Sequence, residues 1–202
     1  MAQQDINTSE LDPNLLSDSF EVNTNWHVIT GAASSGKTTL IDTLANRGFK
    51  TAHEAAREYI DQELVAGMTI EEIIGSLDTE VRIEEMQLRI EHELNATDVV
   101  FLDRALPDSI TFRRLHGFDP SEILKKCFHH RYASIFILDR LPFQLNGARV
   151  EADTYTVLLD EWLARDYAAL GYEVVRVPAL SPEERIAFVL ERVSGQGQVS
   201  DL

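Results

Sequence analysis

The chain has 202 residues, 44% hydrophobic and 26% charged, which excludes a fibre or a wholly disordered chain and suits one compact α/β domain without metal or disulfide staples. Its 34 acidic against 18 basic residues leave a formal charge of -16, so nucleic acid is not expected as a partner: a backbone binder would work against its own field. Cys127 is the single cysteine and no apolar run approaches a membrane span, which makes the cytoplasm the expected compartment.

Residues 1–24 hold Asp5, Glu10, Asp12, Asp18 and Glu21 with no lysine or arginine, and are expected to form a flexible acidic lead-in. The alternative is a short helix carrying Leu15, Leu16 and Phe20 that packs on the domain or a partner. The ordered domain is placed at residues 25–194. It opens with an apolar strand, Trp26 to Thr30, then a loop, then a helix over 37–47 closed by Gly48. A short second strand is expected at 50–54 and a helix over 55–65. Thr69 with Glu72 forms a capping box for the next helix, and Asp78 is expected to cap another reaching Leu94.

Residues 98–103 form the clearest buried strand, ending in an acid, and 134–139 repeat that form; 173–177 supply a fifth strand. Ser181 with Glu184 caps a last helix toward Val193, and the tail at 195–202 is expected to be loose. Continuous apolar strands separated by helices predict a three-layer α/β/α domain around a five-stranded parallel sheet.

Gly31, Ala32, Ala33, Ser34, Ser35, Gly36, Lys37 and Thr38 match G-x-x-x-x-G-K-[ST] between a strand and a helix, with Thr39 next on the helix. The glycines let the backbone wrap a phosphate, successive N–H groups point inward, and the helix N-terminus adds positive potential. Lys37 is expected on the β- and γ-phosphates of ATP or GTP, and the Thr38 hydroxyl on Mg²⁺. A lysine beside a helix N-terminus is unfavourable unless an anion lies there.

Ligands of such sheets collect beyond the carboxyl ends of the strands, so Asp103 is the expected second magnesium ligand, followed at once by Arg104. The Asp-Arg ending recurs at Asp139-Arg140. The stretch after it, with Pro142, Gly147, Arg149 and Glu151, is expected to be a lid that lays Arg140 and Arg149 on transferring phosphate. Pro107, Asp108 and Ser109 are candidate caps of the helix after the third strand. The six histidines show no zinc-binding spacing.

Several stretches then combine: the phosphate loop, Glu54 to Arg57, Leu102-Asp103-Arg104, Pro107-Asp108, Leu138 to Pro142, and Gly147-x-Arg149-x-Glu151. With these, residues 25–194 resemble a family of small P-loop ATPases with an AAA-type domain, grouped with nicotinamide-ribonucleoside-kinase-like and nucleoside-kinase-like proteins. The resemblance implies a kinase-type core with a lid, and phosphoryl transfer from ATP to a small nucleoside-like acceptor. In it Glu54 takes the place of the base on the acceptor hydroxyl, and Arg104 binds phosphate or orders Glu54.

The alternative function is a regulatory ATP- or GTP-binding NTPase that hydrolyses or senses nucleotide with a protein partner. A guanine-reading Asn-Lys-x-Asp would be expected after a later strand, where Leu138-Asp139-Arg140-Leu141 stands instead. A partner-coupled ATPase would be expected to carry a glutamate after Asp103, where Arg104 stands.

Overall fold

The computed structural model describes residues 6–141, 144–145, 148–149 and 154–195. Five strands form one wholly parallel sheet: β2 (Trp26–Thr30), β3 (Lys50–Ala52), β4 (Val100–Asp103), β6 (Ser134–Leu138) and β9 (Val174–Val177), in the order β3-β4-β2-β6-β9. The first of them in the chain, β2, lies at the centre, with Val28 opposite both Leu102 and Ile135. β2, β4 and β6 are buried along their whole length, as their mainly apolar runs require of strands covered on both faces.

Alternate residues of each strand enter different cores. Ile29, Phe101 and Phe136 pack with Leu40, Ile41 and Leu44 of α2 (Lys37–Asn46) and with Ile186, Val189 and Val193 of α9 (Pro182–Gly195). Val28, Leu102 and Ile135 pack with Ile110 of α6 (Asp108–Leu115) and with Leu159, Leu163 and Tyr167 of α8 (Thr154–Ala169). These are the three layers expected. Because β2 has neighbours on both sides, the loop leaving it emerges between the ends of β4 and β6, the usual ligand position in such sheets.

Several boundaries move. The second strand stops at Ala52, and Glu54 becomes the N-cap of α3 (Ala55–Val65). Thr69 caps α4 (Ile70–Ile73) as expected, with its N–H on the Glu72 carboxylate at 2.8 Å. The cap of α5 (Leu77–Glu93) is Ser76 rather than Asp78, because the Ser76 hydroxyl accepts the Thr79 N–H at 3.1 Å. Ser181 and Glu184 make the expected reciprocal cap, with bonds of 3.0 and 3.3 Å.

The lead-in is not the flexible segment expected first but takes the alternative form, a short helix whose apolar side chains pack on the domain. From residue 6 onward it is packed on the domain: α1 (Pro13–Leu16) is capped by Asp12, Leu11 is buried, and Leu15, Leu16 and Phe20 lie against the core. β1 (Val22–Asn23) then pairs in parallel with β5 (His130–Arg131), which follows α7 (Ser121–Lys126). Acidic composition misleads here because the four apolar side chains face inward while the carboxylates stay in water. One of them, Glu21, meets His129 at 2.5 Å. Residues 1–5 and 196–202, which include most of the expected loose tail, lie outside the described residues.

Candidate functional site

The loop after β2 is held by backbone conformations that side chains disfavour. Gly31 has φ 140°, and a Cβ there would stand 2.9 Å from the Leu138 carbonyl oxygen; Gly36 has φ 90° and Ser34 φ 59°. α2 starts at Lys37 directly behind Gly36, so its first amides face the loop. Lys37 curls back and donates to the Gly31 and Ala32 carbonyls, both at 3.0 Å. Burial, helped by the Arg104 charge, lowers its pKa to about 8, against the opposing pull of Glu54, Asp103 and Asp108. Ala33, Ser34, Thr38 and Thr39 are open to solvent. Ser35 is buried, with an unpartnered hydroxyl.

Asp103 ends β4 beside this loop and is only 4% exposed. Burial, reinforced by Glu54, pushes its pKa up to about 6, and its Oδ1 is buried without a hydrogen-bond partner. Arg104 follows in a left-handed conformation, φ 66°, which costs of order 1–3 kcal/mol in a non-glycine residue and turns its side chain across the strand ends. Its Nε donates to Glu54 at 2.7 Å and its Nη1 to Asp108 at 3.0 Å. Asp108 also accepts from the Thr30 hydroxyl, from the Ala105 N–H at 3.2 Å and from the Tyr167 hydroxyl at 2.6 Å. Burial opposes the Arg104 charge, but Asp108 and Glu54 more than offset it, so its pKa stays above the usual arginine value.

A cavity of about 350 Å³ opens from the phosphate loop at Ala33 and is walled by α3, α5, α6 and α8. α6 presents Asp108, Ser109 and Phe112 to it, with His116 at its C-cap, so that wall runs roughly 12 Å at the helical rise. At the far end His116 Nδ1 lies 2.8 Å from the Glu80 carboxylate, and its ring is parallel to Tyr155 within 18°. The α5–α6 wall is braced by Arg113, which holds Glu84 through two bonds of 2.5 and 2.7 Å.

Of the residues singled out in the sequence, Glu54 and Arg104 line this cavity, and Lys37 and Asp103 lie within electrostatic reach of both. Arg140 follows β6, with its Nη1 buried and unpartnered. Its neighbour Asp139 is taken by Arg176 at 2.6 Å. The stretch expected to be an irregular lid contains a two-residue hairpin, β7 (Gln144–Leu145) with β8 (Ala148–Arg149). The Arg149 side chain, and residues 142–143, 146–147 and 150–153, lie outside the described residues. Asp108 is not a side-chain cap: Pro107 holds that position, and the carboxylate turns to Arg104. The i,i+4 spacing of Arg104 and Asp108 was the available signal. Tyr167 and Arg185, which also meet this region, carry no signal in the sequence.

A family model described as an AAA domain, AAA_28, matches residues 26–185. The chain belongs to this AAA-domain family. Among solved structures it is similar to the NadR protein in complex with NAD and AMP-PNP, with TM-score 0.65 and 23% identity, covering 89% of this chain and 51% of that one. It is similar also to thymidylate kinase from Ehrlichia chaffeensis, with TM-score 0.59, 16% identity and coverages of 85% and 98%. A third is deoxyadenosine kinase from M. mycoides, with TM-score 0.56, 13% identity and coverages of 84% and 99%. The chain spans about half the length of the NadR chain. The chain therefore has the P-loop kinase fold. No curated protein sequence matches it. Among the described residues no helix is long and apolar enough to cross a membrane.

Proposed function

We propose that the chain is a magnesium-dependent ATP-binding phosphotransferase acting on a hydroxyl of a small, nucleoside-like acceptor that carries no phosphate of its own. The observation that carries this reading is the cavity opening onto the phosphate loop with Glu54, Arg104 and Asp108 at its mouth.

The loop amides and Lys37 hold the triphosphate, and Lys37 exchanges its two carbonyl partners for phosphate oxygens. The residues present fit magnesium: Asp103 has a buried, unpartnered carboxylate oxygen, and Thr38 is exposed at the start of α2. Among the described residues no group of three or more His, Cys, Asp or Glu forms a cage, which suits an ion that takes one carboxylate, a hydroxyl and phosphate oxygens. When bound there it would neutralise charge on the β- and γ-phosphates.

Glu54 accepts the proton of the acceptor hydroxyl as the oxygen–γ-phosphorus bond forms and the bond to the departing ADP oxygen breaks. Arg104 fixes the rotamer of Glu54 and leaves its second oxygen for the acceptor. Arg140 supplies charge to the transferring group from the β6 side, and the sequence assigns Arg149 the same task. The apolar walls exclude water, so transfer to the acceptor competes with hydrolysis.

The phosphate-free acceptor follows from charge. Among the described residues Glu54, Glu80 and Asp108 line the cavity with a single arginine, Arg104, which already holds two of them. A phosphate on the acceptor would enter a net negative space. The test follows label from the γ-position of ATP with magnesium, using paired panels of nucleosides and their monophosphates, in wild type and Lys37→Ala. Label in a new organic phosphate from a nucleoside, only with wild type, is expected. Transfer confined to monophosphates would refute the charge argument, and label released only as inorganic phosphate would make the chain a hydrolase. Glu54→Gln is expected to keep nucleotide affinity while losing about 10²–10⁴-fold in transfer rate.

A further inference from the structure

Arg185 lies on α9, just after the Ser181–Glu184 cap and about 150 residues from the phosphate loop, yet it touches that loop. It is the fourth residue of the helix and 2% exposed. Its Nε donates to the Pro178 carbonyl at 2.8 Å, its Nη2 to the Asp139 carbonyl at 2.7 Å, and its Nη1 to the Ser35 carbonyl. One guanidinium thus joins the loops leaving β2, β6 and β9. All three bonds end on backbone oxygens, and no carboxylate lies within ion-pair distance among the described residues. A cation in the first turn of a helix also opposes the helix dipole. Burial lowers its pKa from the ordinary arginine value, and the charge of Asp139 offsets this only in part. Packing alone would be served by an apolar side chain, since the neighbours of Arg185 on α9, Ile186 and Val189, fill the core.

What the guanidinium does to the loop follows from peptide geometry. The Ser35–Gly36 peptide bond is trans, so the carbonyl of Ser35 and the N–H of Gly36 point in opposite directions. Fastening the Ser35 oxygen toward Arg185 turns the Gly36 N–H away from it. A Cβ at Gly36 would stand 3.2 Å from Arg185 Nη1, so the guanidinium is pressed against this peptide unit. The Gly36 φ of 90° leaves that unit with little intrinsic preference, since glycine tolerates both signs of φ. We infer that Arg185 is a positioning residue for nucleotide binding: it sets the orientation of the Ser35–Gly36 peptide, and with it an anion-facing amide of the phosphate loop. This rests on the nucleotide reading of the loop given above. By the same bonds Arg185 ties Asp139, at the root of the stretch carrying Arg140, to the loop that holds the phosphates.

The test measures magnesium–AMP-PNP, magnesium–ADP and adenosine binding calorimetrically for wild type, Arg185→Ala and Arg185→Lys, with thermal unfolding of each. Loss of an oriented, charge-assisted contact predicts AMP-PNP affinity weaker by about ten- to a hundredfold in Arg185→Ala, with adenosine affinity unchanged. Arg185→Lys is expected to fall between, because one ammonium cannot reach three carbonyls in the planar array of a guanidinium. Added guanidinium is expected to restore part of the AMP-PNP affinity of Arg185→Ala. Folded Arg185→Ala binding AMP-PNP as wild type does would overturn the inference. If that variant does not fold, unchanged affinity in Arg185→Lys overturns it. Equal weakening for adenosine and AMP-PNP also overturns it, by showing a general loss of structure. A wild type that binds no AMP-PNP sinks the nucleotide reading itself and this inference with it.

Discussion

His27 is the second residue of β2, four residues before the phosphate loop opens at Gly31, and is fully buried. Its Nδ1 faces the Ser134 hydroxyl at 3.2 Å, its Nε2 has no partner, and its ring is 5.3 Å from that of Phe101. Protonation would place a charge and an unsatisfied N–H in a dry core, and burial accordingly lowers the pKa from 6.5 to about 4. Below pH 6.5 the unfolded chain takes up a proton that the folded chain refuses, so stability is lost as pH falls toward 4. The linkage integral gives a loss of about 2 kcal/mol between about pH 7 and pH 5 from this one group. Asp103 acts in the opposite sense. Its folded pKa of about 6 exceeds 3.8, so the folded state protonates first and gains stability as pH falls through that window. The two contributions mask one another in the wild type alone. His27→Phe keeps an aromatic ring and removes only the first. The assay is urea unfolding of both proteins from about pH 7 to pH 5, read as the difference between them. The wild type is expected to lose about 2 kcal/mol relative to the variant, and a relative change below about 0.5 kcal/mol would refute the burial argument.

Asp108→Asn should be costly because the carboxylate gathers four donors from β2, the β4–α6 turn and α8. A loss of about 3–5 kcal/mol in denaturant unfolding is expected, and less than about 1 kcal/mol would show that the node is not a buried anchor. Gly31→Ala pushes a methyl to 2.9 Å from the Leu138 carbonyl at φ 140°. It is expected to cost about 1–3 kcal/mol and to weaken ATP binding, and a variant with wild-type stability and affinity would contradict the close approach seen here. Deleting residues 1–24 would expose the surface under Leu11 and Phe20 and remove the Asn7 and Ser9 carbonyls from Arg114. A stability loss of at least about 3 kcal/mol is expected, against none for a loose tail.

Features carried by short-range pattern were legible in the amino-acid order. The phosphate loop is a fixed string of small residues ending in Lys37 and Thr38, and φ turns positive at both of its glycines and at Ser34. The mainly apolar runs through Trp26, Phe101 and Phe136 announce strands covered on both faces, and Asp103 closes one of them. Capping boxes at Thr69 and Ser181 mark helix starts because their partners lie three residues away. Composition misjudged residues 6–24, since it counts carboxylates and does not say which way Leu11 and Phe20 point.

Tertiary structure alone decided what meets what. Glu54 and Arg104 are 50 residues apart and come within 2.7 Å only because β3 and β4 are neighbours in the sheet. Asp108 becomes a shared acceptor only when α8 brings Tyr167 to it, 59 residues on. Arg185 reaches Ser35 across 150 residues because α9 packs on α2 beside the phosphate loop. The cavity has no sequence signature, being the space left among four helices whose inward faces are set by packing. Local chemistry is written in neighbouring residues, whereas a site is an intersection of distant ones, and only the folded sheet order and helix packing fix where they cross.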